Sequence, residues 1–409
     1  MGDGFRMKLN VWALEPFYGG SHKYFLEGMV RRSDHNIVPF TLPGRNWQWR
    51  MQGGAISLAM QVRAYMEAGI AGSADSDEMG SLVKGAGLRS SPDLLFVTDM
   101  LDLPVFLALA GRQIAGIPVV MYFHKNQLTY PMPPNIKRDM SYGMKNITSA
   151  LAAQSLLFNS NYHREEFLTA VEELLPLMPD EVPEGVVATL AAKAKVLPVG
   201  RDLQRLDDAW EQSQSDVLAG RWGDPANGPL IVWNQHWEWG KGPEEMLAAA
   251  VELKVRGLPF RLAMAGSQYS ELSSEFMWYK EILGDRIVQW GKVLGVMDYG
   301  SLLWAADVVV STARHEFFGA SVVEAIYCGC RPVLPARLSY PEIIPGEAHE
   351  QVLYEKGELL SKLECALANP QAWSEDWQRT WVARCDWATL VQRYDKEMLR
   401  CWKESGRTR

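Results

Sequence analysis

The stretch that decides the fold is Arg314-His315-Glu316-Phe317-Phe318-Gly319-Ala320-Ser321-Val322-Val323-Glu324. It follows the apolar run 308–311, which predicts a buried strand, and it leads into residues 320–328, whose apolar spacing predicts a helix. A strand, a polar loop with a glycine, and a helix together form the crossover unit of a parallel α/β sheet. Because the first N–H groups of a helix bind anions, we expect a phosphate-bearing ligand at Gly319, Ala320 and Ser321, with Arg314 and Phe318 beside it.

Two carboxylates in this stretch are eight residues apart, with Glu316 in the loop and Glu324 just over one turn into the helix. This spacing predicts that Glu316 approaches the reacting end of the ligand, while Glu324 lies below the loop and holds the two hydroxyls of a ribose. The alternatives are a helix-capping acid for Glu316 and a solvated surface acid for Glu324.

The pattern of the whole chain predicts an α/β protein of two domains. A length of 409 residues exceeds what one hydrophobic core usually organises. Short apolar runs alternate with helix-like segments, which favours two Rossmann-like parallel sheets. We predict strands at 8–14, 94–98, 119–123, 155–159, 195–199, 230–234, 261–265, 287–290, 308–311 and 331–334.

The domain boundary is predicted at the Gly- and Pro-rich segment 221–229. This gives an N-terminal domain, 1–220, and a C-terminal domain, 221–385. A helical tail, 386–409, is expected to pack back on the first domain. Residues 69–91, rich in Gly, Ser and Asp, are predicted to be a surface loop.

Composition limits the possible functions. A net charge of −8 argues against a protein that coats nucleic acid with its whole surface, but it allows a local basic patch. No apolar run reaches the roughly 18 residues of a membrane span, and the N-terminus lacks the features of a secretory signal, so a cytoplasmic protein is expected. Of the five cysteines, Cys328 and Cys330 have neither zinc-ligand nor redox spacing, so we expect reduced thiols. No Asp-x-Asp cluster at a strand end and no His/Cys ligand set stands out, so we expect no metal and no bound cofactor.

Three further segments carry candidate polar residues. Gly19-Gly20-Ser21-His22 follows the first strand but lacks the third spaced glycine of a dinucleotide site. His124 ends a strand before the polar pair Asn126 and Gln127. Arg45, Trp47, Trp49 and Arg50 combine stacking surfaces with positive charge, which suits single-stranded RNA, although the same alternation describes a half-buried edge strand.

The Glu316–Glu324 spacing after a strand of the second sheet resembles the retaining GT-B glycosyltransferases of family 4. Six stretches extend the resemblance to the tRNA-queuosine mannosyltransferase family. They are Glu15-Pro16-Phe17-Tyr18-Gly19-Gly20-Ser21-His22-Lys23, Phe40-Thr41-Leu42-Pro43, Trp47-Gln48-Trp49-Arg50, Tyr122-Phe123-His124-Lys125-Asn126-Gln127-Leu128, Tyr130-Pro131 and His315-Glu316-Phe317-Phe318-Gly319.

The resemblance implies a GT-B fold, with two facing Rossmann-like domains and an interdomain cleft. It makes 1–220 the acceptor-side domain and 221–385 the nucleotide-sugar-binding domain. The reaction that it implies is the retaining transfer of mannose from GDP-mannose to the cyclopentenediol of queuosine in the anticodon of tRNA-Asp. It implies that Gly19 and Gly20 face the donor, that His124 lies near the reacting centre on the acceptor side, and that Lys241 contacts donor phosphate. Catalytic roles are therefore expected for Glu316, His124 and Lys241. Acceptor contacts are expected from His22, Asn126, Gln127 and the 45–50 segment.

The chain departs from the family pattern at two positions. His236 stands where the family usually has an Arg, and an imidazole is mostly neutral at pH 7. We expect His236 to remain in the donor site, with weaker or pH-dependent diphosphate binding or with Arg314 in its place. Lys125 stands where the family usually has Glu. These departures leave open a non-tRNA acceptor, or a sugar-nucleotide-binding protein with a degenerate donor site.

Overall fold

The computed structural model describes residues 7–67, 91–132, 136–266, 274–369 and 375–407. The chain forms two compact units. The first contains Met1–Tyr130, Lys137–Gly200 and Trp387–Arg409, and the second contains Pro131–Ile136 and Arg201–Asp386. The loop predicted at 69–91 lies outside the described residues, apart from its last residue.

The first unit is built on a six-stranded parallel sheet with the order β2-β1-β3-β4-β5-β6. Its strands are β1 (Asn10–Tyr18), β2 (Asn36–Pro43), β3 (Leu94–Thr98), β4 (Val119–Phe123), β5 (Ser155–Phe158) and β6 (Ala194–Val196). Its first seven helices are α1 (Gly20–Arg32), α2 (Trp47–Glu67), α3 (Leu103–Ala110), α4 (Arg112–Ala115), α5 (Met140–Ala152), α6 (Asn161–Leu174) and α7 (Val186–Lys193).

The second unit repeats this plan, with the strand order β12-β11-β10-β7-β8-β9 and parallel pairing. Its strands are β7 (Leu230–Trp233), β8 (Arg261–Met264), β9 (Ile287–Trp290), β10 (Val308–Val310), β11 (Arg331–Pro335) and β12 (Leu353–Tyr354). Its helices are α8 (Trp210–Leu218), α9 (Pro243–Val255), α10 (Ser274–Leu283), α11 (Val296–Ala305), α12 (Ala320–Tyr327), α13 (Tyr340–Ile343), α14 (His349–Val352), α15 (Leu359–Ala368) and α16 (Glu375–Val382). The last helix, α17 (Trp387–Glu404), belongs to the first unit.

Both sheets reverse their strand order at one point, between β1 and β3 in the first unit and between β7 and β10 in the second. The connections leave the sheet in opposite directions there, which opens a crevice at the carboxyl ends of the strands. Ligands of open α/β sheets bind in that crevice. The topology therefore identifies one edge of each sheet as the place for a site.

The predicted α/β class and all ten predicted strands are confirmed, with ends that differ by a few residues. The strands β2 and β12 were not predicted. Pro39 and Pro43 interrupt the apolar pattern of β2, and prolines are tolerated there because β2 is an edge strand. Within the described ranges, no helix is both long and apolar enough to cross a membrane.

The two units divide at Gly200 and Arg201, about twenty residues earlier than the boundary expected after residue 220. The intervening segment packs on α11 through polar contacts. Trp304 Nε1 donates to Leu206 O at 2.7 Å, and Ser301 Oγ donates to Asp216 at 2.6 Å. These contacts make residues 201–220 part of the second unit, although the Gly- and Pro-rich breakers come later in the chain.

The tail helix α17 packs in the first unit through one large aromatic side chain and several polar contacts. The indole of Trp387 fills the space beside Gly28 in α1 and beside Gly200. Asp395 accepts a hydrogen bond from Ser33 Oγ at 2.6 Å. Glu397 accepts one from Ser155 Oγ at 2.6 Å. A side chain at residue 28 would therefore compete with Trp387 for the same volume.

Substitution Gly28→Ala is expected to destabilise the first unit by roughly 1–3 kcal/mol, the usual cost of overpacking. The added Cβ would lie 2.0 Å from Trp387 Nε1. Gly53→Ala is the matched control, because it also adds a methyl group to a helix but meets no atom of the described residues within 4 Å. Urea unfolding followed by circular dichroism measures both. Equal midpoints for the two variants would contradict this packing.

Candidate active site

The candidate site of the second unit is assembled by a close approach of two loops at the carboxyl ends of β7 and β10. Gly242 adopts φ +59°, and a Cβ there would lie 2.6 Å from Thr312 O. Gly240 O accepts hydrogen bonds from the N–H groups of Arg314, at 2.9 Å, and His315, at 3.0 Å. Only glycine permits this approach, which joins the loop after β7 to the Glu316 loop.

The joined loops bring Lys241 and Glu316 together. Lys241 Nζ lies 2.9 Å from Glu316 Oε2 and also donates to His315 O at 3.0 Å. Burial would raise the pKa of the Glu316 carboxyl, but the charge of Lys241 and hydrogen bonds from Lys241 and from the Phe318 N–H outweigh it and lower the pKa to about 2. Glu316 is therefore an anion at neutral pH, with its charge balanced by Lys241.

Gly319 supplies the sharp turn between Glu316 and helix α12. It has φ +89°, and a Cβ would meet Ile343 and Tyr340 side-chain atoms at 3.2 Å. The helix begins at the next residue, so the backbone N–H groups of Ala320 and Ser321 lie in its first turn, whereas Phe318 is buried. The motif thus presents a helix N-terminus, the positive end of a dipole, next to Glu316.

Glu324 lies in α12 and is bound by two side chains that the sequence analysis did not select. Arg201 donates to Glu324 Oε1 through Nε at 3.0 Å and also through Nη2. Tyr299 donates to Oε2 at 3.1 Å and accepts from Asn234 Nδ2 at 3.0 Å. The alternative of a solvated surface acid is therefore wrong for Glu324.

The other two basic candidates of this unit differ in their surroundings. His236 is exposed on the loop after β7. Arg314 makes an ion pair with Glu244 at 2.6 Å and lies over the ring of Trp239, with its guanidinium carbon 5.2 Å from the ring centroid. Arg314 therefore has protein partners of its own in this structure.

In the first unit, the carboxyl ends of β1, β3 and β4 bring together a buried polar cluster of Glu15, His22, Asp99 and His124. His22 Nδ1 lies 3.0 Å from Glu15 Oε2. The rings of His22 and His124 have centroids 4.1 Å apart. Asp99 Oδ1 accepts a hydrogen bond from the His124 N–H at 2.8 Å. The topology of the sheet thus connects residues more than a hundred positions apart.

The pKa values of the residues in this cluster are shifted in different directions. Burial alone would lower the pKa of His22, but the Glu15 carboxylate outweighs it and raises the pKa. Burial lowers the pKa of His124 well below its ordinary value, and the neighbouring His22 adds to this effect. Burial raises the pKa of Asp99 to about 6. The surroundings therefore favour the charged form of His22 and the neutral form of His124.

Glu15, His22 and His124 are also the one group in the described part of the chain that could serve as metal ligands, with ligand atoms within 4.8 Å of one another. No spacing in the sequence indicated such a group. Zinc binds its nitrogen and oxygen ligands at roughly 2.0–2.2 Å, which requires them to lie closer together. The direct contact of His22 with Glu15, at 3.0 Å, and the close, tilted packing of the two imidazoles fit a hydrogen-bonded cluster better than a metal site.

Four further candidates of the first unit lie in the loop after β4 and at the end of β1. Asn126 is buried and its side chain holds its own loop, since Oδ1 accepts from the N–H groups of Leu128 and Thr129. Gln127 is half-buried in the same loop. Gly19 packs on the backbone of Gly44, and a Cβ at residue 19 would lie 3.0 Å from Gly44 Cα. Gly20 has φ +52°, and a Cβ there would meet no atom of the described residues within 4 Å.

In the segment 45–50, helix α2 begins at Trp47, so the alternative of an edge strand is wrong. Trp49 is 74% exposed and Trp47 is 38% exposed, with the Trp47 ring 5.2 Å from that of Tyr142. Arg45 is exposed, and Arg50 donates from Nε to Pro43 O at 3.0 Å. The segment thus presents one fully accessible indole beside two cationic side chains.

Four residues at these two sites were not predicted as site residues: Glu15, Asp99, Arg201 and Tyr299. Glu15 and Asp99 have a signal in the sequence, because each is an acid at the end of an apolar run. Arg201 and Tyr299 have no such signal. They are 123 and 25 residues from Glu324 in the sequence, and only the folding of the chain brings them into contact with it.

Comparison with known structures gives the fold. Sucrose-phosphate synthase from Thermosynechococcus elongatus aligns over 97% of this chain and 100% of its own, with a TM-score of 0.66 and 15% identity. The catalytic domain of starch synthase IV from Arabidopsis thaliana, bound to ADP and acarbose, aligns over 97% and 100%, with a TM-score of 0.66 and 11% identity. The family of glycosyl transferases group 1 matches residues 219–374. The protein is therefore a glycosyltransferase with the GT-B fold.

The N-terminal family of tRNA-queuosine alpha-mannosyltransferases matches residues 10–201. The tRNA-queuosine alpha-mannosyltransferase of Drosophila melanogaster is 30% identical over 358 residues, which cover 87% of this chain and 86% of that protein. The chain belongs to the tRNA-queuosine alpha-mannosyltransferase family and is a hexosyltransferase. This assignment decides against a sugar-nucleotide-binding protein without activity.

Substitution Lys241→Met is expected to raise the pKa of Glu316 above about 2, because burial would no longer be opposed by a cation. A lowered carboxyl pKa stabilises the native chain above the unfolded value near 4.5, and this contribution is lost as the pH falls toward 2. We therefore expect Lys241→Met to lower the free energy of unfolding at pH 7 by roughly 2–3 kcal/mol. Denaturant titrations at pH 7 and pH 4 measure the effect, which shrinks at the lower pH.

Lys292→Met is the control, because Lys292 is exposed in the same unit. A loss of stability equal to that of the control would show that Lys241 does not compensate Glu316.

Proposed function

We propose that the chain transfers mannose from GDP-mannose to the cyclopentenediol of queuosine in tRNA-Asp, with retention of the anomeric configuration. The observation that carries the proposal is the Lys241–Glu316 pair beside the N-terminus of α12, in a chain of this family. The pair combines a cation for a diphosphate with a carboxylate for the donor sugar.

On the donor side, the diphosphate takes the place between Lys241 and the first turn of α12. Backbone N–H groups at Gly319, Ala320 and Ser321 and the positive end of the helix dipole stabilise its charge. Binding draws Lys241 toward phosphate, while Glu316 then accepts hydrogen bonds from hydroxyls of the mannose. Glu324 binds the ribose, and His236 and Arg314 lie beside the nucleotide.

The transfer needs little acid–base chemistry from the protein. The acceptor hydroxyl oxygen forms a bond to C1 of the mannose on the face from which the diphosphate departs. The C1–O bond to the diphosphate breaks, and the hydroxyl proton passes to the leaving diphosphate. The protein mainly stabilises the charge that develops on that group, through Lys241 and α12.

On the acceptor side, the neutral imidazole of His124 is suited to orienting a hydroxyl near the reacting centre. Burial keeps it uncharged, so it donates or accepts a single hydrogen bond without competing for a proton. His22, hydrogen-bonded to Glu15, is part of the support of His124, and Gln127 in the loop after β4 contacts the acceptor.

The segment 45–50 is suited to the anticodon loop. A splayed-out base stacks on an exposed aromatic ring, and nearby arginines pair with phosphates. Trp49 offers such a ring next to Arg45 and Arg50. This local patch supports an RNA acceptor in an otherwise acidic protein, over a free sugar, glycolipid or protein acceptor.

The test is to incubate the purified protein with queuosine-containing tRNA-Asp and radiolabelled GDP-mannose and to count label in the precipitated RNA. We expect label that requires queuosine and that falls at least a hundredfold in Glu316→Ala, because the carboxylate contacts the reacting sugar. Absence of label, with GDP-mannose still bound, would reject the acceptor and retain the donor site.

The same assay tests the proposal that no metal takes part. Incorporation of label is expected to be unchanged in excess EDTA, and a loss that added divalent cation restores would contradict it. Analysis of the anomeric configuration of the released glycoside tests retention, since the β-anomer would exclude it.

Substitution Trp49→Ala is expected to weaken tRNA binding about tenfold, since stacking of one base contributes roughly 1–3 kcal/mol. Binding of GDP-mannose should remain within twofold, because Trp49 belongs to the first unit and the donor residues to the second. Trp278→Ala is the control, an exposed tryptophan of the second unit. Filter binding measures the tRNA dissociation constant, and equal effects of both substitutions would show that α2 does not contact RNA.

A further inference from the structure

The carboxylate of Glu324 already accepts three hydrogen bonds from protein side chains. Two N–H groups of Arg201, at Nε and Nη2, donate to the same oxygen, Oε1. The hydroxyl of Tyr299 donates to the other oxygen, Oε2, at 3.1 Å. The side chains of Arg201 and Glu324 are 14% and 13% exposed, so water replaces these contacts poorly.

The position of Arg201 is set by the backbone rather than by its own side chain. Its N–H donates to Cys385 O at 2.8 Å, and it forms a parallel bridge with Asp386. Tyr299 is held from the other side, because its oxygen accepts a hydrogen bond from Asn234 Nδ2. Both donors are therefore anchored independently of the nucleotide.

A carboxylate has about four acceptor positions, two on each oxygen. Arg201 uses both positions of Oε1, and Tyr299 uses one of Oε2. Counting donors from the described residues, one acceptor position remains, on Oε2. A ribose diol has two hydroxyl donors, so it cannot donate both to Glu324 while these contacts persist.

We propose that Arg201 is a positioning residue that limits Glu324 to a hydrogen bond from a single ribose hydroxyl. Tyr299 determines which position on Oε2 accepts that bond. The inference rests on the proposed donor site and deepens it, because it concerns which part of a nucleoside diphosphate that site recognises. The second ribose hydroxyl makes no hydrogen bond to Glu324.

The experiment measures dissociation constants of GDP, 2′-deoxy-GDP and 3′-deoxy-GDP by isothermal titration calorimetry. The wild-type chain is expected to bind one deoxy analogue roughly tenfold or more weakly than GDP, because a hydrogen bond to a charged group is lost. The other analogue is expected to bind within twofold of GDP. Equal losses for both analogues, or no loss for either, would overturn the proposal.

The variants Arg201→Lys and Tyr299→Phe test the role of each partner. An ammonium binds Oε1 as a point charge rather than through a two-pronged fork, and phenylalanine donates no hydrogen bond, so each substitution releases an acceptor position. Both variants are expected to become sensitive to the second ribose hydroxyl as well, binding both deoxy analogues at least fivefold more weakly than GDP. A purely structural role for Arg201 would instead weaken all three ligands by the same factor.

Arg205→Lys is the matched control, since it makes the same change at an exposed residue of the neighbouring 3-10 helix, Gln204–Ala209. It should preserve the wild-type ratios, and thermal melts identify any variant that does not fold. If UDP or ADP binds in place of GDP, the same pair of deoxy analogues is used with that base, because the ribose is shared. Failure of all three nucleotides to bind would overturn both this inference and the donor site. A failed ratio with intact mannose transfer would overturn the inference alone.

Discussion

The proposed donor site depends on the approach of two backbones at Gly242 and Thr312. A Cβ at residue 242 would lie 2.6 Å from Thr312 O, which no side chain tolerates without moving one loop. The hydroxyl of Thr312 reinforces the contact by donating to Gly242 O at 2.8 Å, and Trp233 Nε1 donates to that hydroxyl at 3.1 Å. These bonds fix the distance between the carboxyl ends of the two strands. Lys241 therefore contacts Glu316 directly.

The two units solve the cost of buried charge in different ways. In the second unit, the two carboxylates of the candidate site are each paired with a cationic side chain. Glu316 pairs with Lys241, and Glu324 pairs with Arg201. A ligand that brings negative charge must therefore exchange one partner for another, which favours a diphosphate over a neutral sugar. In the first unit, the Glu15 carboxylate is paired with the imidazole of His22 instead, so the charge of the cluster depends on whether His22 carries a proton.

Both sites lie at the carboxyl ends of the strands, at the point where the strand order of each sheet reverses. The crevice there follows from the order of the strands and requires no particular side chain. The residues that line it determine the chemistry. A diphosphate suits the helix N-terminus at α12, and a hydroxyl suits the buried imidazole of His124, although both sheets have the same topology.

The sequence alone determined the α/β class, ten strands, and the Glu316–Gly319–Glu324 motif, because each depends on local apolar spacing and on the conformational preference of glycine. It also indicated the family, through motifs spread over most of the chain. The position of β2 escaped detection because its prolines are permitted at a sheet edge, which is a property of neighbours rather than of the segment. Only the tertiary structure decided that residues 201–220 belong to the second unit, that 45–50 begins a helix, and that Arg201, Tyr299, Glu15 and Asp99 complete the sites. Those contacts join residues distant in sequence, and their energy comes from burial and pairing that no single segment contains.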